Sequence, residues 1–423
     1  MYGWENAQSA LGILFVIAVC WGLSEDKKRF PWKLTLGAIA VQAGLVWLLF
    51  GFPASQSVLD AINAGVDGLS AATHKGAQFV FGYLAGGPQP YALQDQGALF
   101  VFAFEVLPLI LVISALSALL WHWKILKWIT QAFGFLFEKT MGLGGASALS
   151  VAANIFLGMI ESQIVIRAYL DKLTRSELFL QMVVGLATVA GSTMVAYAAI
   201  LKDTPPNAAG HVLVASIISA PAGVMLARIM VPEKPGHGKD FDEGEVELQY
   251  DSSIDAIVKG TADGLSVVLN ISAVLIVFVA LVALANVIMG GFWWDGPITV
   301  ERILGYVFTP LAWLIGLPWS EARIGGQLLG VKLVLTEFVA FIDLGKIPAG
   351  ELSERSRMLL TYALCGFANI ASVGITVTGF SVLMPNRRTE VMNMVWKSLV
   401  AGFLATCLTA SIVGLMPPSL FGG

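Results

Sequence analysis

The sequence predicts an all-α polytopic membrane protein built around two re-entrant helical hairpins. Three observations lead there. Of 423 residues, 57% are hydrophobic and only 13% charged, about half the charged share of soluble domains. Apolar runs of about 20 residues recur along the chain, enough for a helix to cross about 30 Å of hydrocarbon, and mean hydropathy is +0.77. Two further apolar segments are interrupted by polar residues, so that neither half is long enough to span. Short alternating strands, the mark of a membrane barrel, are not evident.

The elements follow in order. The start, "MYGWENAQSALGILFVIAVCWGL", lacks a basic leader region and carries Glu5, so it reads as a first transmembrane helix and not a signal peptide. The next loop holds Lys27, Lys28, Arg29 and Lys33. The positive-inside rule makes that loop cytoplasmic and the N-terminus external. Runs that could span lie at 8–24, 34–53, 97–121, 178–201, 211–231, 254–290, 299–317, 356–383 and 391–416. The run 254–290 exceeds one upright crossing and is expected to be tilted or broken. Segment 55–90, mixed and glycine-rich, reads as an interfacial helix. So does 121–140, where Trp121, Trp123 and Trp128 alternate with Lys124 and Lys127. Residues 232–253 form a charged, solvated loop.

The interrupted segments are 144–171, "GGASALSVAANIFLGMIESQIVIRAYLD", and 321–344, "EARIGGQLLGVKLVLTEFVAFIDL". Irregular backbone at membrane depth is tolerated only where protein or a cavity covers it, which predicts re-entrant hairpins. Each is followed by a polar turn, "KLTRSE" or "ELSERSR", and then by a helix with a related string. The strings are "GLATVAG" from Gly185 to Gly191 and "GFANIAS" from Gly366 to Ser372. Paired interrupted segments in two halves point to a secondary-transporter site, because broken helices expose N–H and C=O groups that hold polar solutes and ions. Gly158, Gly191 and Gly366 permit such breaks.

Glu161 and Glu337 take corresponding places in the two hairpins. A carboxylate there needs a cavity or a partner. The plainer alternative is an ion pair, Glu161 with Arg167 or Glu337 with Lys332. Asn154 and Thr188 offer neutral oxygens that, with carbonyls at a break, suit dehydrated Na⁺; interhelical hydrogen bonding is their alternative. Asn369 and Ser372, with Phe367 beside them, suit a hydroxylated solute carrying a flat ring, or else a hydrogen-bonded kink.

Other classes find less support. Net charge is −4 with no basic tail, so nucleic-acid binding has no footing. Cys20, Cys365 and Cys407 sit in apolar runs and read as small core residues. The four histidines are scattered, and no metal-ligand cluster or Ser-His or Cys-His set can be assembled. No organic cofactor is implied. An intramembrane enzyme and a passive channel remain rival classes.

Taken together, the tip "AANIFLGMIES", the tip "VLTEFVAF", the string "LCGFANIASVGI" and the context "GYVFTPLAWLIGLPWSEA" resemble the concentrative nucleoside transporters, ion-coupled symporters of bacterial type, over nearly the whole chain. The resemblance implies about eight transmembrane helices, two re-entrant hairpins, interfacial helices and inverted repeats, assembled as a homotrimer in the bacterial inner membrane. It divides the chain into a mainly scaffold region 1–140 and a first repeat 141–231. After the loop 232–253 come scaffold helices 254–320 and a second repeat 321–423. It implies that Glu161 meets the base side of a nucleoside from the first tip, Gly158-Met159-Ile160-Glu161. Glu337, Asn369 and Ser372 meet the ribose, Phe367 packs near the base and Thr193 lines the pocket. Asn154 and Thr188, with the carbonyls of Leu157 and Val189, form the Na⁺ site. The expected function is Na⁺-coupled nucleoside import by an elevator motion. One departure stands out: the family's first tip reads G-Q-[ST]-E, and here Met159 and Ile160 replace the amide and hydroxyl. That is expected to shift base preference and leaves a second reading, an H⁺-coupled symporter of a nucleoside-like or other small polar solute. At the second tip Thr336 stands where many members have Asn.

Overall fold

The computed structural model describes residues 3–91, 101–201, 207–234, 249–293, 296–348 and 350–421. These are almost entirely helical. Trp4–Gly22 (α1) and Trp32–Gly51 (α2) are followed by the long Pro53–Phe81 (α3). Phe102–Glu105 (α4) and Leu107–His122 (α5) make one apolar stretch, and Ile125–Met141 (α6) follows. The first hairpin region contains Gly145–Asn154 (α7), Glu161–Ile164 (α8) and a 3-10 turn, Arg167–Lys172. Arg175–Ala187 (α9) and Gly191–Leu201 (α10) are two parts of a broken helix, and Ala208–Met230 (α11) and Ser253–Met289 (α12) come next. Two two-residue strands, Phe292–Trp293 and Gly296–Pro297, pair antiparallel. The last third comprises Val300–Ile315 (α13), Trp319–Val334 (α14), Glu337–Lys346 (α15), Glu354–Leu364 (α16), Ile370–Leu383 (α17) and Arg388–Leu415 (α18).

The polar turns of the sequence repeat are helix starts. Thr174 accepts from the Glu177 amide, and Glu177 reaches back to the Thr174 N–H, closing a capping box on α9. Ser353 caps α16 in the same way, by accepting from the Ser356 amide.

Seven helices among the described residues are long and apolar enough to span, or eight if α13 and α14 count as one bent span. Three expectations are refined. The run 254–290 is not broken: α12 is one helix of 37 residues. The run 299–317 yields α13, only 16 residues long, and α14 leaves it at 118°. The run 356–383 is split into α16 and α17, because Gly366 to Asn369 leave helical geometry. Segments 55–90 and 121–140 give α3 and α6, neither of which passes as a span. Of the loop 232–253, residues 235–248 lie outside the described residues.

The core sits at the α9–α10 stretch, α11 and α18. In their apolar stretches 83%, 89% and 89% of residues are buried, against 6% in α12. All three cysteines are free and buried there or nearby, as small core residues. At one face of the bundle the Glu25 amide donates to Met230 O at 2.9 Å. The Glu25 carboxylate meets Arg175 at 3.0 Å and Lys397 at 3.3 Å, and the guanidinium holds it below the usual carboxylate range. These pairs are partly exposed, so they fix register more than they add stability.

Candidate functional site

A cavity of about 440 Å³ lies where both hairpins, α10 and α17 face α5 and α12, a volume suited to a small organic ligand. Its second-hairpin wall is built first. Thr336 caps α15 by accepting from the Val339 amide, so Glu337 opens the helix, where free N–H groups favour a carboxylate. Glu337 Oε1 accepts from Tyr197 Oη at 2.7 Å and Oε2 from Asn369 Nδ2 at 2.7 Å. Tyr197 is steadied by stacking on Phe341, 4.5 Å between centroids. Asn369 Oδ1 accepts from the Ser372 amide at 2.8 Å and so caps α17. Each carboxylate oxygen keeps a lone pair for a solute hydroxyl. The ion-pair alternative does not form: Lys332 Nζ donates to Ala363 O at 2.8 Å and Thr406 Oγ1 at 2.7 Å, beneath the Phe403 ring.

The first hairpin is made differently. Between α7 and α8 the chain turns irregularly, and the Glu161 carboxylate folds back over Gly158. That fold-back needs glycine at 158, since a Cβ there would overlap Glu161 Oε2. Met159 packs against Gly185 of α9 and takes a weak hydroxyl contact from Thr376 at 3.6 Å. Ile160 packs against Gly379 of α17. The apolar pair thus anchors the tip to two helices and presents no polar atom to a base except the Met159 sulfur.

Behind the tip lies a cluster of oxygens. Asn154 Nδ2 donates to Thr188 Oγ1 at 2.7 Å, and Asn154 Oδ1 accepts from Ser162 Oγ at 3.1 Å. The Val189 carbonyl accepts from Ser216 Oγ at 3.3 Å. Asn154, Thr188, Ser162 and Ser216 are all buried. The set contains hard neutral oxygens and no His, Cys or carboxylate; it suits a hard monovalent cation and not a transition metal. No group of three or more His, Cys, Asp or Glu able to hold a metal occurs among the described residues.

The two helix breaks touch. The Phe367 amide donates to Thr188 O at 3.2 Å, and Gly366 lies so close to Ala187 O that a Cβ would come within 2.8 Å. Gly191 N donates to Phe156 O at 3.0 Å, tying the first hairpin to its own break.

The structure brings the residues singled out from the sequence to two adjoining places. Gly158, Met159, Ile160, Glu161 and Thr193 line the cavity, as do Glu337, Phe367, Asn369 and Ser372. Asn154, Thr188 and Val189 lie behind it, and Leu157 borders it. Sequence reasoning missed Tyr197, which follows Thr193 by one helical turn on α10; that spacing could have found it. It also missed Ser162, next to Glu161, and Ser216 on α11, which no local pattern marks. Asp263, Ser266 and Asn270 of α12 line the opposite wall.

Comparison with known proteins points to one family. Residues 11–84 and 211–414 match models of the N- and C-terminal parts of Na⁺-dependent nucleoside transporters, and 103–204 match a nucleoside-recognition gate model. The transporter YutK of Bacillus subtilis is 38% identical over 96% of this chain and 98% of its own. The nucleoside permease NupC of Helicobacter pylori is 33% identical over 96% of this chain and 97% of its own. The solved structure of CNTnw in an inward-facing, substrate-bound state superposes with a TM-score of 0.87 at 34% identity, covering 97% of both chains.

Proposed function

This chain belongs to the concentrative nucleoside transporter family, whose members are membrane transporters and not enzymes, and from that premise we propose that it imports nucleosides by symport with Na⁺. It is an integral membrane protein, and we place it in a bacterial inner membrane as a homotrimer. The observation that carries the coupling is the continuity of Asn154 to Glu161. One end of this stretch sits in the oxygen cluster and the other lines the cavity. A cation drawing Asn154, Thr188 and Val189 together orders the stretch that presents Glu161. Coupling then follows because the ion favours the solute-binding state. The exposed apolar face of α12, with Leu269 and Ile276, fits a stationary scaffold packed on lipid or on other copies while the hairpins and the core helices move as an elevator.

On the solute side, Glu337 takes the ribose hydroxyls, Asn369 and Ser372 flank it, and Phe367 covers the base. The test is uptake of radiolabelled nucleosides into proteoliposomes, with an inward Na⁺ gradient or with choline in its place. Accumulation only with Na⁺ is expected. Accumulation in choline driven by a proton gradient would replace Na⁺ with H⁺ as the coupling ion. Ser162→Ala removes one hydrogen bond to Asn154, worth about 1 kcal/mol. It should raise the Na⁺ concentration for half-maximal uptake roughly five-fold and leave uptake at saturating Na⁺ intact. An unchanged Na⁺ dependence would remove the Asn154 cluster from the ion site.

A further inference from the structure

The cavity wall formed by α12 carries polar groups at one helical spacing: Asp263, Ser266 and Asn270. Around them the helix is apolar and exposed, as at Leu265 and Leu269. Gly260 and Gly264 let α5 approach so closely that a Cβ at Gly260 would lie 2.8 Å from Ala115 Cα, and one at Gly264 would lie 3.1 Å from Leu111 Cα. This brings Ser114 and Ser117 onto the same wall. A carboxylate on a spanning helix is tolerated where it faces water or solute. Asp263 faces the cavity and makes no hydrogen bond to another described residue. Glu161 lines the same cavity, and the two carboxylates repel one another.

The far end of the cavity differs. There Glu337 is engaged by two neutral donors, Tyr197 and Asn369. At the Glu161 end, Met159 and Ile160 supply no hydrogen-bond donor, and no Lys, Arg or His lines the cavity among the described residues. Neutral hydroxyls of Tyr250, Ser114, Ser117 and Ser266 also line the cavity, but the two carboxylates, when ionised, can only accept. A solute group that enters between two carboxylates must bring N–H donors. An exocyclic amine brings two, one for each side. A ring carbonyl at the same place offers the two carboxylates no donor and has only the neutral hydroxyls to pair with, a poorer match that a site built on carboxylates rejects.

We propose that Asp263 is a specificity-determining residue of the solute site and that, together with Glu161, it selects nucleosides whose base carries an exocyclic amine over those with a carbonyl there. This rests on the nucleoside reading above. The measurement is equilibrium binding to the purified full-length protein at saturating Na⁺, comparing cytidine with uridine and adenosine with inosine.

The amino base of each pair is expected to bind at least ~10-fold tighter, the discrimination that a poorly matched polar group gives. Asp263→Asn offers a donor to the carbonyl and should cut that ratio to within about three-fold, mainly by tightening uridine and inosine. Asp263→Glu should keep the preference. Asp263→Ser provides a second donor-bearing variant should the first not fold as a monodisperse protein. A wild type that binds uridine as tightly as cytidine, or an Asn or Ser variant with the full preference, overturns the proposal and leaves the nucleoside reading standing. Binding of none of the four by folded wild type overturns both.

Discussion

The two hairpins occupy matching places in an internal repeat, yet they are built by opposite means. Each touches the helix break of its own repeat through a side-chain hydrogen bond. In the first half Asn154 meets Thr188; in the second Glu337 meets Asn369. Thr188 and Asn369 are the fourth residues of the two related strings. Beyond that shared frame the chemistry diverges. The second tip is two residues between regular helices, and its carboxylate is fixed by two donors to a charged acceptor, each worth about 1.5–3 kcal/mol. The first tip is an irregular turn, held by Met159 and Ile160 against glycines and by a cluster of neutral oxygens. The second hairpin is therefore an acceptor organised before any solute arrives. The first is the part that an ion has reason to order.

The sharpest way to break this contrast is Glu337→Gln. The carboxamide turns an N–H toward either Tyr197 or Asn369, both of which donate to this residue, and it cannot serve two solute hydroxyls as before. Solute affinity is expected to fall on the order of 100-fold, two charge-assisted hydrogen bonds being lost or reversed. Yield and monodispersity should hold, since Lys332 keeps its direct partners, Ala363 and Thr406, without Glu337. Glu161→Gln should cost less, because no side-chain donor among the described residues holds Glu161 as Tyr197 and Asn369 hold Glu337. Equal losses in the two variants would erase the asymmetry between the hairpins, and full transport by Glu337→Gln would make that residue structural.

Much of this contrast was legible in the sequence. Interrupted hydrophobicity located both hairpins, because half-helices leave a period of their own and a polar tip. The repeated strings located both breaks. Glu161, Glu337, Asn154 and Thr188 stood out because polar groups in apolar runs demand an explanation. Three things were not legible. Lys332 precedes Glu337 by five residues, but α14 carries its ammonium to Ala363 and Thr406, so nearness in sequence misled. Ser216 and Asp263 reach the site only through the packing of α11 and α12, and nothing within either run predicts which face turns inward. Gly366 and its string marked the break within 356–383, but its cause, the contact of Gly366 with Ala187, is tertiary and was not legible.

A second test acts on the first hairpin alone. Gly158→Ala places a Cβ where the Glu161 carboxylate folds back, so the carboxylate or the turn must move. Overpacking of this kind costs about 1–3 kcal/mol, and solute affinity should fall roughly ten-fold. If saturating Na⁺ restores that affinity in part, the ion orders the tip as argued. If the loss is the same at every Na⁺ concentration, the tip is as rigid as its counterpart and the contrast fails.

An effect on solute affinity no larger than that of Gly158→Ala is expected from Tyr197→Phe. The ring still stacks on Phe341 and packs edge-on to Phe338, 4.7 Å between centroids, so the helix contact survives and only the hydroxyl goes. Glu337 then keeps Asn369 and the start of α15, and one donor to a charged acceptor is lost, about 1.5 kcal/mol or some ten-fold in solute affinity. Isothermal titration at saturating Na⁺ separates the outcomes. A ten-fold weakening with an unchanged Na⁺ dependence places the loss in the second hairpin, as an organised acceptor requires. No weakening would mean that Asn369 alone orients the carboxylate, and that the second hairpin is held, like the first, by one side-chain contact to its own break.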